Sequence, residues 1–192
     1  MKKIWLASNS PRRKELLAGL GVDFEVRVLP GIDESYPCGL TEGEIPLYIS
    51  RAKADAYRHM LPDDTLLVTA DTIVWLDGEV LEKPKDETDA QRMLRALSGK
   101  THQVFTGVCL TTTERQSMFS CRSDVTFATL SDEEIDYYVT HYHPLDKAGA
   151  YGVQEWIGYV GVERIEGSYF NVMGLPVQRL YKALKEDFEE YL

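Results

Sequence analysis

Short apolar runs alternate with amphipathic stretches along most of this chain, which is a pattern typical of proteins that contain both strands and helices. Ile4 to Ala7 is a brief apolar run and predicts a short buried strand, beside which Phe24 to Leu29 is expected to pair. A helix is predicted to begin at Pro11, because Ser10 is a favoured capping residue and proline suits the first helical position. Apolar residues at spacings of three and four predict a second helix from about Glu44 to His59.

The most apolar stretch of the chain, Thr65 to Leu76, predicts a buried strand with a polar insert around Asp71. Asp77-Gly78 directly after it predicts a tight hairpin turn. The next elements predicted are a helix over 87–97 and two strands over 104–112 and 117–129. A capping box at Ser131 predicts the start of another helix. A late strand over 160–165 and a final helix from Val172 to Leu184 are predicted to follow. Early alternation of strands and helices, followed by a long hairpin, predicts a mixed α/β sheet flanked by helices.

Composition narrows the class of protein. The chain has 192 residues with a formal net charge of −10, and 44% of its residues are hydrophobic, so a folded domain is expected and wholesale disorder is not. No linker-like or repetitive segment appears, so residues 1–192 are expected to form a single domain. The acidic balance opposes binding to nucleic acid or to an anionic membrane. Three cysteines without a paired motif, and apolar runs too short for a signal peptide or membrane helix, lead us to expect a cytoplasmic protein.

Two hydroxyls and two guanidiniums surround the predicted start of the first helix. Ser8, Ser10, Arg12 and Arg13 lie where a strand runs into a helix N-terminus, and exposed N–H groups there attract anions. Arginine also matches phosphate oxygens with two parallel hydrogen bonds. The segment is therefore either a phosphate-binding site or a well-capped surface helix with solvated arginines.

Asp71 is the second candidate, because a carboxylate within an apolar strand is costly to ionise unless it is paired, hydrogen-bonded or bound to metal. It is either a hydrogen-bond acceptor at the strand or a general base. The hairpin that follows is expected to return Lys83 toward the same end of the sheet, although Lys83 alone also suits a solvated position. Glu34 and Asp33, taken with Asp71, form either a Mg²⁺-type carboxylate set or part of a plain acidic loop.

Several common catalytic motifs are absent from the sequence. It contains no phosphate-binding P-loop, no dinucleotide-binding glycine fingerprint, no serine-hydrolase elbow and no zinc-protease helix motif.

Ordered sequence blocks, taken together, resemble the Maf family of nucleoside triphosphate pyrophosphatases over nearly the whole chain. The blocks are Leu6-Ala7-Ser8-Asn9-Ser10-Pro11-Arg12-Arg13, the Glu34 loop, Arg51-Ala52-Lys53-Ala54, Ala70-Asp71-Thr72-Ile73-Val74, Leu81-Glu82-Lys83-Pro84, Leu97-Ser98-Gly99, Asp146 to Gln154, and Gly174-Leu175-Pro176. The resemblance implies a Maf/ITPase-like α/β fold with a mixed, bent central sheet flanked by helices, and two lobes with a cleft. It also implies a homodimer and hydrolysis of the α–β phosphoanhydride of a nucleoside triphosphate with a divalent cation, Mg²⁺ or Mn²⁺.

The same resemblance assigns roles to particular residues. Arg12, Thr72 and Gln154 match the branch that acts on dTTP and UTP and are expected to determine specificity. Asp71 is expected to be the catalytic general base, with Glu34 and Asp71 as metal ligands. The groups expected to bind the triphosphate are Ser8, Arg13, Lys53 and Lys83.

One departure from the family pattern concerns the residues after Gln154. Relatives often continue with glycine, whereas this chain continues with Glu155-Trp156, which is expected to narrow or shift the choice of base. Two other functions remain open from the sequence alone. One is hydrolysis of purine or modified triphosphates, and the other is a nucleotide-binding or septum-associated regulatory role without turnover.

Overall fold

The structure, a computed structural model, describes residues 2–192. The strands are β1 Lys3–Leu6, β2 Phe24–Val26, β3 Thr65–Leu76, β4 Glu79–Leu81, β5 Thr101–Thr111, β6 Gln116–Phe127 and β7 Val162–Glu166. The α-helices are α1 Pro11–Ala18, α2 Glu44–Tyr57, α3 Glu87–Leu97, α4 Asp132–Tyr142, α5 Trp156–Gly161, α6 Tyr169–Met173 and α7 Val177–Asp187. Short 3-10 turns cover Arg58–Met60, Pro144–Asp146, Ala148–Ala150 and Glu189–Tyr191.

The described strands form one seven-stranded sheet in the order β2-β1-β3-β5-β6-β7, and β4 pairs with β3. Parallel and antiparallel pairs are both present. Strand β1 runs parallel to β2 and β3, with Ile4 opposite Leu66, whereas β7 runs antiparallel to β6, with Val125 opposite Ile165. The prediction of a mixed α/β sheet flanked by helices is therefore confirmed.

The chain divides into two compact units. The first comprises the chain up to Asp71, Thr106–Cys121 and Gly174–Leu192, and the second comprises Thr72–Phe105 and Arg122–Met173. In the first unit, α2 packs its apolar face inward, with Ile45, Ile49 and Tyr57 buried. The Thr69 hydroxyl on β3 donates a hydrogen bond of 2.7 Å to the carbonyl of Ser50, which ties this strand to α2.

In the second unit, the predicted turn after β3 is present. Asp77 and Gly78 both adopt positive φ, 52° and 90°, and the antiparallel β3–β4 pair aligns Leu76 with Glu79. The residue after β4, Glu82, accepts a hydrogen bond of 3.2 Å at its carbonyl from the backbone N–H of Gly149. This bond holds the hairpin against the segment that leads to Gln154.

The sequence prediction for the C-terminal region was wrong in one respect. A single helix was expected from Val172 to Leu184, but α6 ends at Met173 and α7 begins at Val177. Gly174 adopts a φ of 117°, which favours glycine, and Pro176 lacks the N–H that a continuous helix would need. The pattern also gave no indication of the short helix α5.

Within residues 2–192, no helix combines the length and the hydropathy required to cross a bilayer.

A buried histidine in the second unit fixes the position of the segment before Gln154. His102 is fully buried, and its Nε2 lies 2.6 Å from the hydroxyl of Tyr151. The rings of His102 and Phe127 meet edge to face. Burial lowers the pKa of His102 from its ordinary 6.5 to about 4, although the nearby Asp124 carboxylate acts in the opposite direction.

We expect His102 to make the stability of the fold depend on pH. Between pH 6.5 and about 4 the unfolded chain binds a proton at this residue and the native chain does not, so the free energy of unfolding falls as pH decreases through this range. The loss attributable to His102 is about 3 kcal/mol. Urea unfolding at pH 7, 6 and 5 should show a smaller decrease for His102→Gln, which keeps a partner for Tyr151 but does not titrate. Equal pH dependence in both proteins would contradict the assignment, and His59→Gln at an exposed site is the control.

Candidate active site

Asp71 lies at the point where β3 changes from buried to half-buried. Residues 65–70 of the strand are all buried, and Asp71 is the first to reach solvent, with 13% of its side chain exposed. A carboxylate with so little exposure requires a compensating partner to remain charged. The structure supplies that partner from α2.

Lys53 of α2 is the cation that pairs with Asp71. Its Nζ lies 2.9 Å from Asp71 Oδ1, 3.5 Å from the carbonyl of Ala70 and 3.2 Å from Glu34 Oε1. Only 12% of the Lys53 side chain is exposed, whereas 55% of the Glu34 side chain is exposed. One ammonium group therefore joins a sequestered carboxylate to a second carboxylate that is open to solvent.

Helix α1 places a second cation near the same carboxylates. The Ser10 hydroxyl accepts a hydrogen bond from the backbone N–H of Arg13, which confirms the predicted cap, and Arg13 Nε donates a bond of 2.8 Å to the carbonyl of Gly174. Desolvation lowers the pKa of Arg13, and the Asp71 and Glu34 carboxylates oppose that shift. Arg13 therefore interacts electrostatically with both acidic groups.

Ser8 and Arg12 complete the N-terminal part of this region. Ser8 is buried, and its hydroxyl accepts a hydrogen bond of 3.2 Å from the backbone N–H of Ser10. The charge of Arg12 contributes to the lowered pKa of Arg13, which places the two guanidiniums within electrostatic range of each other. Three cations, two carboxylates and the start of a capped helix therefore lie together in the first unit. Such an arrangement is able to bind phosphate oxygens and to deprotonate a nearby water.

The other predicted site residues belong to the second unit. Thr72 is half-buried in β3, and Lys83 is exposed just after β4. Gln154 is half-buried, and its Oε1 atom is buried with no hydrogen-bond partner among residues 2–192. The roles assigned to these three residues stay predictions.

Metal binding at the predicted pair, Glu34 and Asp71, is compatible with the donor chemistry. Both carboxylates contact one Lys53 ammonium, so both lie within reach of a single cationic centre. In the described part of the chain, no three His, Cys, Asp or Glu side chains form a group able to hold a metal ion. A cation at the pair would therefore complete its shell with water and substrate oxygens, as Mg²⁺ commonly does.

Sequence reasoning missed a second group of polar contacts, around Glu155. Its carboxylate accepts a hydrogen bond from the Tyr138 hydroxyl and lies 3.2 Å from Lys147 Nζ. In the sequence, Tyr138 follows the apolar Ile135 at helical spacing, which gives no indication of a polar contact. Residue types and spacing gave no signal for these contacts, because the fold brings Tyr138 and Lys147 to Glu155.

Comparison with known proteins identifies the family. The family model described as Maf-like protein matches residues 3–187. The chain belongs to the Maf family. The resemblance inferred from the sequence blocks is therefore confirmed, and it extends over residues 3–187.

Individual Maf relatives are highly similar. A protein of Bacteroides thetaiotaomicron is 66% identical over 184 residues, covering 96% of this chain and 95% of its own. One from Phocaeicola vulgatus is 66% identical with the same coverage, and one from Porphyromonas gingivalis strain W83 is 60% identical over 98% of this chain and 95% of its own. All three relatives bear the name dTTP/UTP pyrophosphatase.

Among solved structures, the Staphylococcus aureus Ham1 protein aligns with 66% of this chain and 72% of its own. Its TM-score is 0.46 and its sequence identity is 18%.

The hydrogen bond from Arg13 to Gly174 gives a test of how this site is held together. We expect Arg13→Lys to lower the free energy of unfolding by about 1–3 kcal/mol, because lysine keeps the charge but lacks the Nε–H that bonds the Gly174 carbonyl. Urea unfolding at neutral pH measures the change. Arg164→Lys, at a side chain that is 70% exposed, is the matched control and should change stability little. Equal effects at both sites would contradict a structural role for this bond.

Proposed function

We propose that this chain is a pyrophosphatase that hydrolyses dTTP and UTP at the α–β phosphoanhydride, releasing the nucleoside monophosphate and pyrophosphate. The names of its highly similar relatives support this activity. The structural observation that carries the proposal is the sequestered Lys53–Asp71 pair, with Glu34 and Arg13 close to it. A simple binding protein would have little need for an ionised carboxylate within an apolar strand.

Asp71 acts as the general base in this proposal. Its carboxylate takes a proton from a water molecule, the water oxygen attacks the α-phosphorus, and the bond from that phosphorus to the bridging oxygen breaks. The pyrophosphate group leaves with the electron pair of that bond. Lys53 holds Asp71 Oδ1 in a fixed direction, and orientation of this kind is a large part of what general-base catalysis requires.

Cationic groups stabilise the charge that develops on the phosphoryl oxygens. Lys53 and Arg13 are already desolvated in part, so their interactions with an anion are stronger than those of fully exposed cations. Ser8 and the capped start of α1 add N–H and hydroxyl groups that suit phosphate. Lys83 is assigned to the same task on the basis of the family resemblance.

A divalent cation, Mg²⁺ or Mn²⁺, is proposed to bind between Glu34 and Asp71 together with the substrate. When bound, it would neutralise charge on the phosphate oxygens and polarise them. Lys53 contacts both carboxylates, so the lysine keeps these two acidic groups together.

Recognition of the pyrimidine base is assigned to Gln154, with Thr72 and Arg12. The partnerless Oε1 of Gln154 supports this assignment, because a buried carbonyl oxygen without a hydrogen bond is costly unless a ligand satisfies it. A carboxamide offers one acceptor and two donors, which suit the N3–H and O4 atoms of uracil and thymine.

A homodimer located in the cytoplasm completes the proposal, and nucleic acid is not an expected partner. The net charge of −10 supports the last point, because it repels a polyanion.

Substrate choice is tested with a panel of nucleoside triphosphates. We expect dTTP and UTP to be hydrolysed faster than GTP and ATP in the presence of Mg²⁺, and we expect chelator to abolish turnover. Release of pyrophosphate is measured by a colorimetric assay, and the monophosphate is identified by chromatography. Preferential turnover of purine or modified triphosphates would contradict the proposed substrates, and absence of any turnover would favour a regulatory protein.

The role of Asp71 is tested by Asp71→Asn. The asparagine keeps the size of the side chain but accepts protons poorly, so kcat for dTTP should fall by about 10²–10⁴-fold. Asp23→Asn, at an exposed position of the same unit, should keep wild-type activity. Circular dichroism establishes that both variants are folded. A folded Asp71→Asn variant with wild-type kcat would exclude general-base catalysis by this residue.

A further inference from the structure

Both oxygens of the Glu155 carboxylate are held by neighbouring side chains in the second unit. Oε2 accepts a hydrogen bond from the hydroxyl of Tyr138, and Oε1 lies 3.2 Å from Nζ of Lys147. The Tyr138 hydroxyl in turn accepts a bond of 2.9 Å from the backbone N–H of Gly152. We refer to Tyr138, Lys147, Gly152 and Glu155 as the Glu155 cluster.

The charged side chains of the Glu155 cluster are largely buried, so water weakens their electrostatic contacts little. Only 9% of the Lys147 side chain and 20% of the Glu155 side chain are exposed. Burial and the Glu155 carboxylate both raise the pKa of Tyr138, so its hydroxyl remains a hydrogen-bond donor at neutral pH. The direction of the Glu155 carboxylate is therefore fixed by two charged or charge-assisted contacts.

Gln154 lies directly against this cluster. A β-carbon added at Gly152 would lie 3.0 Å from each of three atoms: Gln154 Nε2, the carboxylate carbon of Glu155 and Lys147 Cε. The amide nitrogen of Gln154 and the Glu155 carboxylate therefore lie at the same small space beside Gly152. A larger residue at position 152 would require these side chains to shift.

This proximity favours one orientation of the Gln154 amide. A carboxylate attracts the NH₂ end of a neighbouring amide and repels its carbonyl end. The Oε1 atom is accordingly directed elsewhere, and it is buried without a hydrogen-bond partner in the described chain. A ligand that satisfies it must supply a donor.

We propose that Glu155 is a specificity-determining positioning residue that orients the Gln154 carboxamide so that its Oε1 atom accepts from the substrate base. The inference rests on the proposed function, and it specifies which feature of the substrate is selected. Uracil and thymine carry a hydrogen on N3, whereas N3 of cytosine is an acceptor and would face Oε1 without a proton between them. Discrimination against cytosine therefore follows from the fixed amide.

The experiment compares kcat/KM for UTP and for CTP in the wild-type protein and in three variants. Glu155→Gln keeps the size of the side chain and removes the charge that orients the amide. Tyr138→Phe removes one of the contacts that hold Glu155 and provides a second test if Glu155→Gln folds poorly. Glu163→Gln makes the same change of charge at an exposed position of β7 and is the matched control.

We expect the UTP/CTP ratio of kcat/KM to fall by about tenfold in Glu155→Gln and by a smaller factor in Tyr138→Phe. KM for UTP should rise while kcat for UTP stays close to the wild-type value, and Glu163→Gln should retain the wild-type ratio. A purely structural role would lower activity on both nucleotides equally, which would overturn the proposal. An unchanged ratio in both test variants, or an equal fall in the control, would also overturn it.

Failure of the proposed function is recognisable separately. If the wild-type protein hydrolyses neither UTP nor dTTP, the proposed function is wrong and the inference falls with it. If the wild-type protein prefers UTP to CTP and Glu155→Gln retains that preference, only the role of Glu155 is wrong.

Discussion

The contact between Lys53 and Asp71 is the constraint on which the candidate site depends. Asp71 occupies a strand whose preceding six residues are all buried, and an unpaired carboxylate there would be strongly disfavoured. Lys53, on the neighbouring helix α2, compensates the negative charge of Asp71. Only a small part of the Lys53 and Asp71 side chains is exposed. Burying two charges yields little net stability, and removing one partner alone is costly. The pair is thus better explained by the need for an ionised acid at this position than by stability of the fold.

A similar contact between a buried lysine and two carboxylates is present in the second unit. Lys147, like Lys53, is a largely buried lysine that contacts two carboxylates, one with little exposure and one open to solvent. Its partners are Glu155 and Asp146, and 59% of the Asp146 side chain is exposed. In each case a lysine fixes the direction of an acidic side chain next to a residue with a proposed role. Lys53 and Lys147 each place a positive charge at a defined point. Such local positive charge suits a protein whose net charge is strongly negative and whose proposed ligand is an anion.

Features determined by neighbours in the sequence were predictable, and those determined by distant contacts were not. The Ser10 cap, the Asp77-Gly78 turn and the capping box at Ser131 depend on residues within one turn, and all three are present. The final helix is an exception, because Gly174 and Pro176 interrupt it locally and the prediction followed the apolar spacing alone. For the site, residue types and spacing gave Asp71 as a candidate, and the family resemblance added Lys53. The 2.9 Å contact between them joins residues 18 positions apart on different elements, so it required the structure.

The interruption between α6 and α7 has a consequence for biosynthesis. The Gly174 carbonyl that this break exposes is the acceptor for Arg13, 161 residues earlier in the chain. A nascent polypeptide on the ribosome therefore lacks the partner that orients this arginine until residue 174 has been translated. Shortened chains that end before this glycine would therefore lack the carbonyl that orients the Arg13 side chain.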